Sequence, residues 1–193
     1  MIHRNRLRSA WNRVGSGEIH RAPREWQPWL SDTGSLTQKI ENAIGRKLEV
    51  QVLRDCPQSL NSDESRYFHF KLRRCRVREV LLCSNGVPLV MAHSVIPTLS
   101  SSGSNHTILR LGTKPLGAVL FSKTRKHSKA KPPRDIARLD KKSELWKKCS
   151  KHFDCLSTPL WARRTLYRLK GHPILVNEIF LPALLKIAKS QAL

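Results

Sequence analysis

The stretch from Trp161 to Leu185, WARRTLYRLKGHPILVNEIFLPALL, constrains the fold more than any other part of the chain. Two runs rich in β-branched, aromatic and aliphatic residues flank Lys170-Gly171-His172-Pro173. Gly with Pro is common turn punctuation, so the stretch reads as a β-hairpin. Side chains alternate along a strand, so Ile174, Val176, Glu178 and Phe180 point to one face. A single carboxylate therefore stands in an apolar row. Burying an unpaired carboxylate is far costlier than burying a neutral polar group. Glu178 thus needs a cation beside it, either at a solvated strand end or in a functional site. Arg163 and Arg164 are weaker site candidates, because adjacent strand residues point to opposite faces and at most one can share the site.

A second hairpin spans Arg76 to Pro97, RVREVLLCSNGVPLVMAHSVIP. Asn85-Gly86 is a strong type I′ turn signal, since both central residues need positive φ. Arg78 shares a face with Val80 and Leu82, projecting from an apolar row as Glu178 does. A guanidinium stays charged at any working pH and offers a planar fork to a carboxylate. Two readings follow. Arg78 pairs with Glu178 inside the sheet, or it grips an anionic ligand in a cavity.

The remaining segments fill out a single α+β domain. Ser35 and Gln38 have capping-box spacing, and Leu36, Ile40, Ala43 and Ile44 follow as one apolar stripe. Gly45 is the expected C-terminal stop. Leu48, Val50 and Val52 alternate as a half-buried strand. Asp55 to Ser65 reads as a loop and Arg66 to Arg74 as a further strand. In Thr107–Phe121 (TILRLGTKPLGAVLF), Pro115 suits the first turn of a short helix. Gly112 and Gly117 permit tight turns or a close approach to a ligand. Pro182 opens a tail helix with Leu184, Leu185 and Ala188 inward and Lys186 and Lys189 outward. The expected architecture is a largely antiparallel sheet of about six strands, starting near Leu48, Arg66, Arg76, Pro88, Trp161 and Ile174, with helices on one side.

The chain has 193 residues, which suits one domain. Its formal charge of +22 implies attraction to anions. The distribution matters more: twelve Lys/Arg against three acids lie between Ser122 and Lys151, and six Arg against one acid in the first 24 residues. Residues 1–25 read as a basic flexible arm, and 26–193 as the domain, carrying a basic insertion at about 122–158. Loops above about 12–15 residues without structure are usually functional or disordered. Nucleic acid is a possible partner on charge alone. It is not favoured, because the basic stretches lack the interleaved aromatics on which bases stack. Five cysteines without a C-x-x-C indicate free thiols and a cytoplasmic protein. Cys149, His152 and Cys155 lack a fourth ligand, so no metal is expected. No apolar run of about 18 residues is present for a membrane span. There is no phosphate loop, dinucleotide fingerprint, H-E-x-x-H or nucleophile elbow.

Four of these segments together resemble the chorismate lyase family. They are the W-L-(x)-D-x-G-S-L-T pattern around Leu36, R-E-V-x-L with G-x-P-x-V around Arg78, R-L-G-x-x-P-L-G-x-x-L-F around Leu116, and W-x-R-R-T with G-x-P-I-L-V and E-x-F-L-P-A around Glu178. The resemblance runs from about Trp26 to Ala183, interrupted where the insertion departs from the family pattern. It implies elimination of pyruvate from chorismate to give 4-hydroxybenzoate for ubiquinone biosynthesis, by a monomer with no cofactor. It also implies catalytic roles for Arg78 and Glu178, and substrate contacts at Leu36, Arg78, Leu116 and Glu178. Rival readings are a non-catalytic effector-sensing domain of the same fold and a nucleic-acid-binding protein.

Overall fold

The computed structural model describes residues 11–13, 17–68, 75–101, 108–121 and 132–190. Seven described strands form one antiparallel sheet: β1 (Trp11–Arg13), β2 (Glu49–Gln58), β3 (Cys75–Ser84), β4 (Val87–Pro97), β5 (Arg134–Leu139), β6 (Leu160–Leu169) and β7 (His172–Phe180). Their order is β1-β5-β6-β7-β4-β3-β2. The two hairpins form as the turn chemistry requires. Asn85 and Gly86 take φ of 50° and 73°, and Lys170 and Gly171 take 49° and 86°, the left-handed pair of a type I′ turn.

Helices α1 (Gln27–Ser31), α2 (Leu36–Ile44) and α6 (Ala183–Ser190) lie over one face. There Trp26, Trp29, Leu30, Leu36, Ile40 and Ile44 pack on Val80, Leu82, Val90 and Phe180. Ser35 caps α2 by accepting from the Gln38 amide at 3.4 Å, while the Gln38 side chain turns to Asn42, so half of the expected capping box forms. Gly45 ends the helix at φ 66°. A short helix, α4 (Gly117–Leu120), closes the same face further along. Gly117 lets it approach α2: a Cβ there would stand 3.4 Å from Ser35 Oγ.

Several expectations are corrected. The sheet has seven described strands where about six were expected, the added ones being β1 and β5. Trp11–Arg13, inside the expected arm, pairs with β5 at the sheet edge. The segment taken as a strand from Arg66 begins instead at the end of α3 (Ser62–Tyr67), capped by a full Asn61–Glu64 box; residues 69–74 lie outside those described. The expected insertion contributes β5 to the sheet, second from one edge and hydrogen-bonded between β1 and β6. It also contributes α5 (Glu144–Ser150), whose Leu145 and Cys149 are buried against Leu81, Met91 and Leu160. Only its front, 122–131, lies outside the described residues. β5 escaped a hydrophobic-pattern reading because it is buried on both faces with charged residues at Arg134 and Asp135. Of the tail helix, Leu184 is buried and Lys186 exposed; the side chains of Ala188 and Lys189 are outside the described set.

The second face carries a polar row in register across six strands: Asp135, Arg164, Asn177, His93, Glu79 and Arg54. Arg164 bonds Asp135 and Asp63, and its guanidinium lies over the rings of Trp11 and Tyr67. His93 is wholly buried and sits between Glu79 (2.9 Å) and Glu64 (2.6 Å). Lys148 of α5 and Arg54 of β2 also face Glu79. Burial opposes a charge on His93, but the two carboxylates outweigh it and raise its pKa. The His93 bond holds Glu79 down at about 2.

A raised His93 stabilises the fold below its ordinary 6.5, and that contribution is lost as pH climbs through the raised value. A depressed Glu79 stabilises above 4.5, and its contribution is lost as pH falls toward about 2. The cluster therefore contributes most between about pH 4.5 and 6.5. Urea unfolding across pH checks this: His93→Gln is expected to flatten the alkaline decline, and an unaltered profile would refute the assignment.

Candidate active site

The first face holds a cavity over the middle of the sheet. Its floor is Arg78, Val80 and Leu82 of β3, Ala92 and Ser94 of β4, and Val176 and Glu178 of β7. Ser35, Leu36, Pro115, Leu116, Phe121 and Tyr167 complete the walls. The period-2 alternation of the two hairpins is what puts Arg78 and Glu178 on this one face. Antiparallel register then sets Ala92 directly across from both Glu178 and Val80. All four residues singled out in the sequence, Leu36, Arg78, Leu116 and Glu178, line the cavity.

Arg78 and Glu178 do not form the ion pair considered from sequence. Glu178 takes its cation from Arg163, its cross-strand neighbour on β6. Arg163 Nε donates a short hydrogen bond to Glu178 Oε2, and Nη2 donates to Oε1 at 3.3 Å. Arg163 Nη1 donates to the carbonyls of Trp29 (2.9 Å) and Asp32 (2.8 Å). Arg163 is wholly buried and Glu178 is 7% exposed. Burial opposes the Arg163 charge, but the Glu178 carboxylate outweighs it and raises the pKa. A carboxylate held this way keeps lone pairs for further acceptance. Of the two adjacent arginines only Arg163 faces the cavity side; Arg164 belongs to the polar row behind the sheet.

Arg78 is held in place by groups the sequence did not flag. Its Nη1 donates to Asp55 at 2.9 Å, and Nη2 to the carbonyls of Gly112 (2.7 Å) and Lys114 (3.2 Å). Gly112 offers that carbonyl from a left-handed turn, φ 52°, so the loop glycine serves backbone approach to Arg78. Asp55 is shared with Arg76. Burial pushes the Asp55 carboxyl up, yet the two arginines outweigh it and lower the pKa. Three of the five Arg78 N–H donors are thereby accounted for. Leu36 is both a core residue of α2 and a wall of the cavity, so its two readings coincide. Leu116 packs with Ile96, Leu120 and Val176 while lining the same space.

Tyr167 went unnoticed in the sequence, as did Ser94. Tyr167 stacks edge-on against Phe121 with ring centroids 5.7 Å apart. Burial, and then the Glu178 charge, raise its pKa, so it remains a phenol. Its signal was the strand alternation Arg163, Thr165, Tyr167, which puts all three on the Glu178 side. The five cysteines are free thiols. Burial alone pushes Cys149 up to about 12, and chiefly burial pushes Cys75 up to about 11, so neither is suited to nucleophilic work at neutral pH. Among the described residues no His, Cys, Asp and Glu gather as metal ligands, and no helix is long and apolar enough to cross a membrane.

The fold and the site define an α+β domain: one antiparallel sheet with a largely apolar cavity that has an arginine at one side and a carboxylate at the other. A model of the family described as chorismate lyase matches residues 7–189. The chain is 38% identical over 164 residues to a protein of Thiobacillus denitrificans named "probable chorismate pyruvate-lyase", covering 85% of this chain and 86% of that one. It is 31% identical over 156 residues to the chorismate pyruvate-lyase of Yersinia enterocolitica, covering 80% of each. This chain belongs to the chorismate lyase family. In fold it is similar to the effector domain of PhnF from Mycobacterium smegmatis, with a TM-score of 0.50, 12% identity, and coverage of 79% of this chain and 91% of that one.

Breaking a buried ion pair by removing one partner typically costs about 3–5 kcal/mol. Arg163→Met is expected to lower unfolding free energy by that order, because Glu178 keeps its burial and loses its counter-charge. The double variant Arg163→Met/Glu178→Gln is expected to recover part of the loss. Urea denaturation of both checks this; equal losses would place the cost in packing instead of charge.

Proposed function

We propose that the protein is a chorismate pyruvate-lyase that releases 4-hydroxybenzoate, a precursor for ubiquinone, and pyruvate. The observation that carries the reading is the convergence of Leu36, Arg78, Leu116 and Glu178, drawn from four separate sequence motifs, on one cavity. Chorismate is a dianion on a cyclohexadiene ring. Arg78 takes the ring carboxylate, and Glu178 accepts from the ring hydroxyl at the other end. Leu36, Leu116, Val80 and Leu82 cover the ring faces.

The chemistry asks little beyond positioning. The ring carbon–oxygen bond to the enolpyruvyl group breaks, and the ring carbon bearing the hydroxyl loses its proton. The departing enolpyruvate gains a proton at its methylene carbon and becomes pyruvate. Aromatisation drives the step downhill, so holding the substrate in a reactive geometry and guiding one proton suffice. Glu178, fixed from behind by two Arg163 nitrogens, orients the hydroxyl-bearing carbon and assists that proton's departure. The same two polar ends suit the product, whose carboxylate and hydroxyl lie para to one another.

Mixing the protein with chorismate and following pyruvate and 4-hydroxybenzoate together tests the reading, with equal amounts of both expected. Glu178→Gln is expected to cut turnover at least about 100-fold, the scale of a positioned acid–base group, with little change in fold; unchanged turnover would remove Glu178 from the mechanism. Arg78→Ala is expected to weaken binding of both chorismate and 4-hydroxybenzoate by about 10- to 100-fold, the worth of a hydrogen bond to a charged group. Calorimetric titration with 4-hydroxybenzoate reads it directly.

A further inference from the structure

Arg134 is the one buried guanidinium among the described residues with terminal nitrogens left unsatisfied. It is 6% exposed, and neither Nη1 nor Nη2 has a hydrogen-bond partner among the described residues. Its Nε donates to Thr165 Oγ1 at 2.9 Å, which draws the side chain from β5 over β6. A buried cation without acceptors for its donors is costly, and such groups in native folds call for an explanation.

The register supplies one. A single row runs across the cavity face: Arg134, Thr165, Val176, Ser94, Arg78, Asp55. An arginine stands toward each end, and short side chains lie between them. Four strand spacings separate the two arginine backbones, about 19 Å, a span that two long side chains reaching inward reduce to the width of a small ligand. Val176 and Ser94 are cavity floor. Arg134 is repelled by the buried Arg163 charge and attracted by Tyr167 and Glu178, two residues of the cavity lining.

The charges agree with this arrangement. Glu178 balances Arg163, and Asp55 balances only one of Arg76 and Arg78. One positive charge is left over at the Arg78 end, and Arg134 brings a second. A ligand with two negative charges neutralises the face; one with a single carboxylate does not.

We propose that Arg134 is the second carboxylate-binding residue of the cavity, its Nη1/Nη2 fork receiving the carboxylate of the substrate's enol-ether arm while Arg78 holds the ring carboxylate. The assignment rests on the lyase reading above. It makes Arg134 specific for the substrate, because the aromatic product has lost that arm. As the ring carbon–oxygen bond breaks, electron density moves onto the departing enolpyruvate, and the Arg134 charge stands beside it.

The test compares substrate and product in the full-length protein. Arg134→Met is expected to lower kcat/KM for chorismate by about 10- to 100-fold, while the Kd for 4-hydroxybenzoate stays within about twofold. Its thermal midpoint is expected to hold or rise, since an unpaired buried charge has been removed. Arg134→Lys keeps the charge without the fork, is expected to retain part of the activity, and gives the same comparison if the Met variant folds poorly. An unchanged kcat/KM, or parallel losses of turnover and product binding, would overturn the proposal. Absence of chorismate turnover in the unsubstituted protein would instead defeat the lyase reading on which it rests.

Discussion

The Arg163 guanidinium ties together parts of the chain more than a hundred residues apart. It bonds both oxygens of Glu178 on the neighbouring strand and the carbonyls of Trp29 and Asp32 at the end of α1. Those carbonyls belong to the C-terminal turn of a helix, where backbone acceptors lack internal partners. One buried cation thus satisfies a strand carboxylate and a helix end together. It also fixes where α1 hands over to α2, and so where Ser35 and Leu36 stand over the cavity.

The two faces of the sheet handle buried charge differently. Behind the sheet the polar row from Asp135 to Arg54 is closed: His93 has a carboxylate on each ring nitrogen, and Arg164 has two carboxylates and two aromatic rings. A satisfied network of that kind specifies one packing of α3 and α5 against the strands. The cavity face is open in the same sense of accounting. Arg78 retains donors, Glu178 retains lone pairs, and the Arg134 terminal nitrogens have no well-formed hydrogen bond among the described residues. An unmet hydrogen-bonding demand inside a fold is a cost that binding relieves, and here it lies along one row crossing the cavity floor.

Edge chemistry explains why β2 and β1 flank the sheet. β2 carries Pro57 near its end, where the missing N–H is tolerated on an edge strand, and it exposes five of its ten residues. β1 has three described residues and, among the described residues, pairs with β5 alone. Short and proline-bearing edges limit pairing with other chains.

Much of the fold was legible because the two hairpins state it locally. Asn85-Gly86, the alternation around Arg78 and Glu178, and the α2 stripe between Ser35 and Gly45 each depend on residues within one turn or one strand. These local rules placed Arg78, Glu178, Leu36 and Leu116 on surfaces that had to meet if the sheet closed as it does. They could not reveal β5, since a strand buried on both faces with Arg134 and Asp135 looks like a solvated charge run until Thr165 and Arg164 are known to lie opposite. Nor could they choose between Arg78 and Arg163 as the partner of Glu178, or find Asp55 and the Gly112 carbonyl behind Arg78. The sequence by itself determined which side chains share a strand face, because the period of two is intrinsic to the chain. Only the tertiary structure decided which charges neutralise one another and which remain to meet a ligand, because that depends on strand order and register between distant segments.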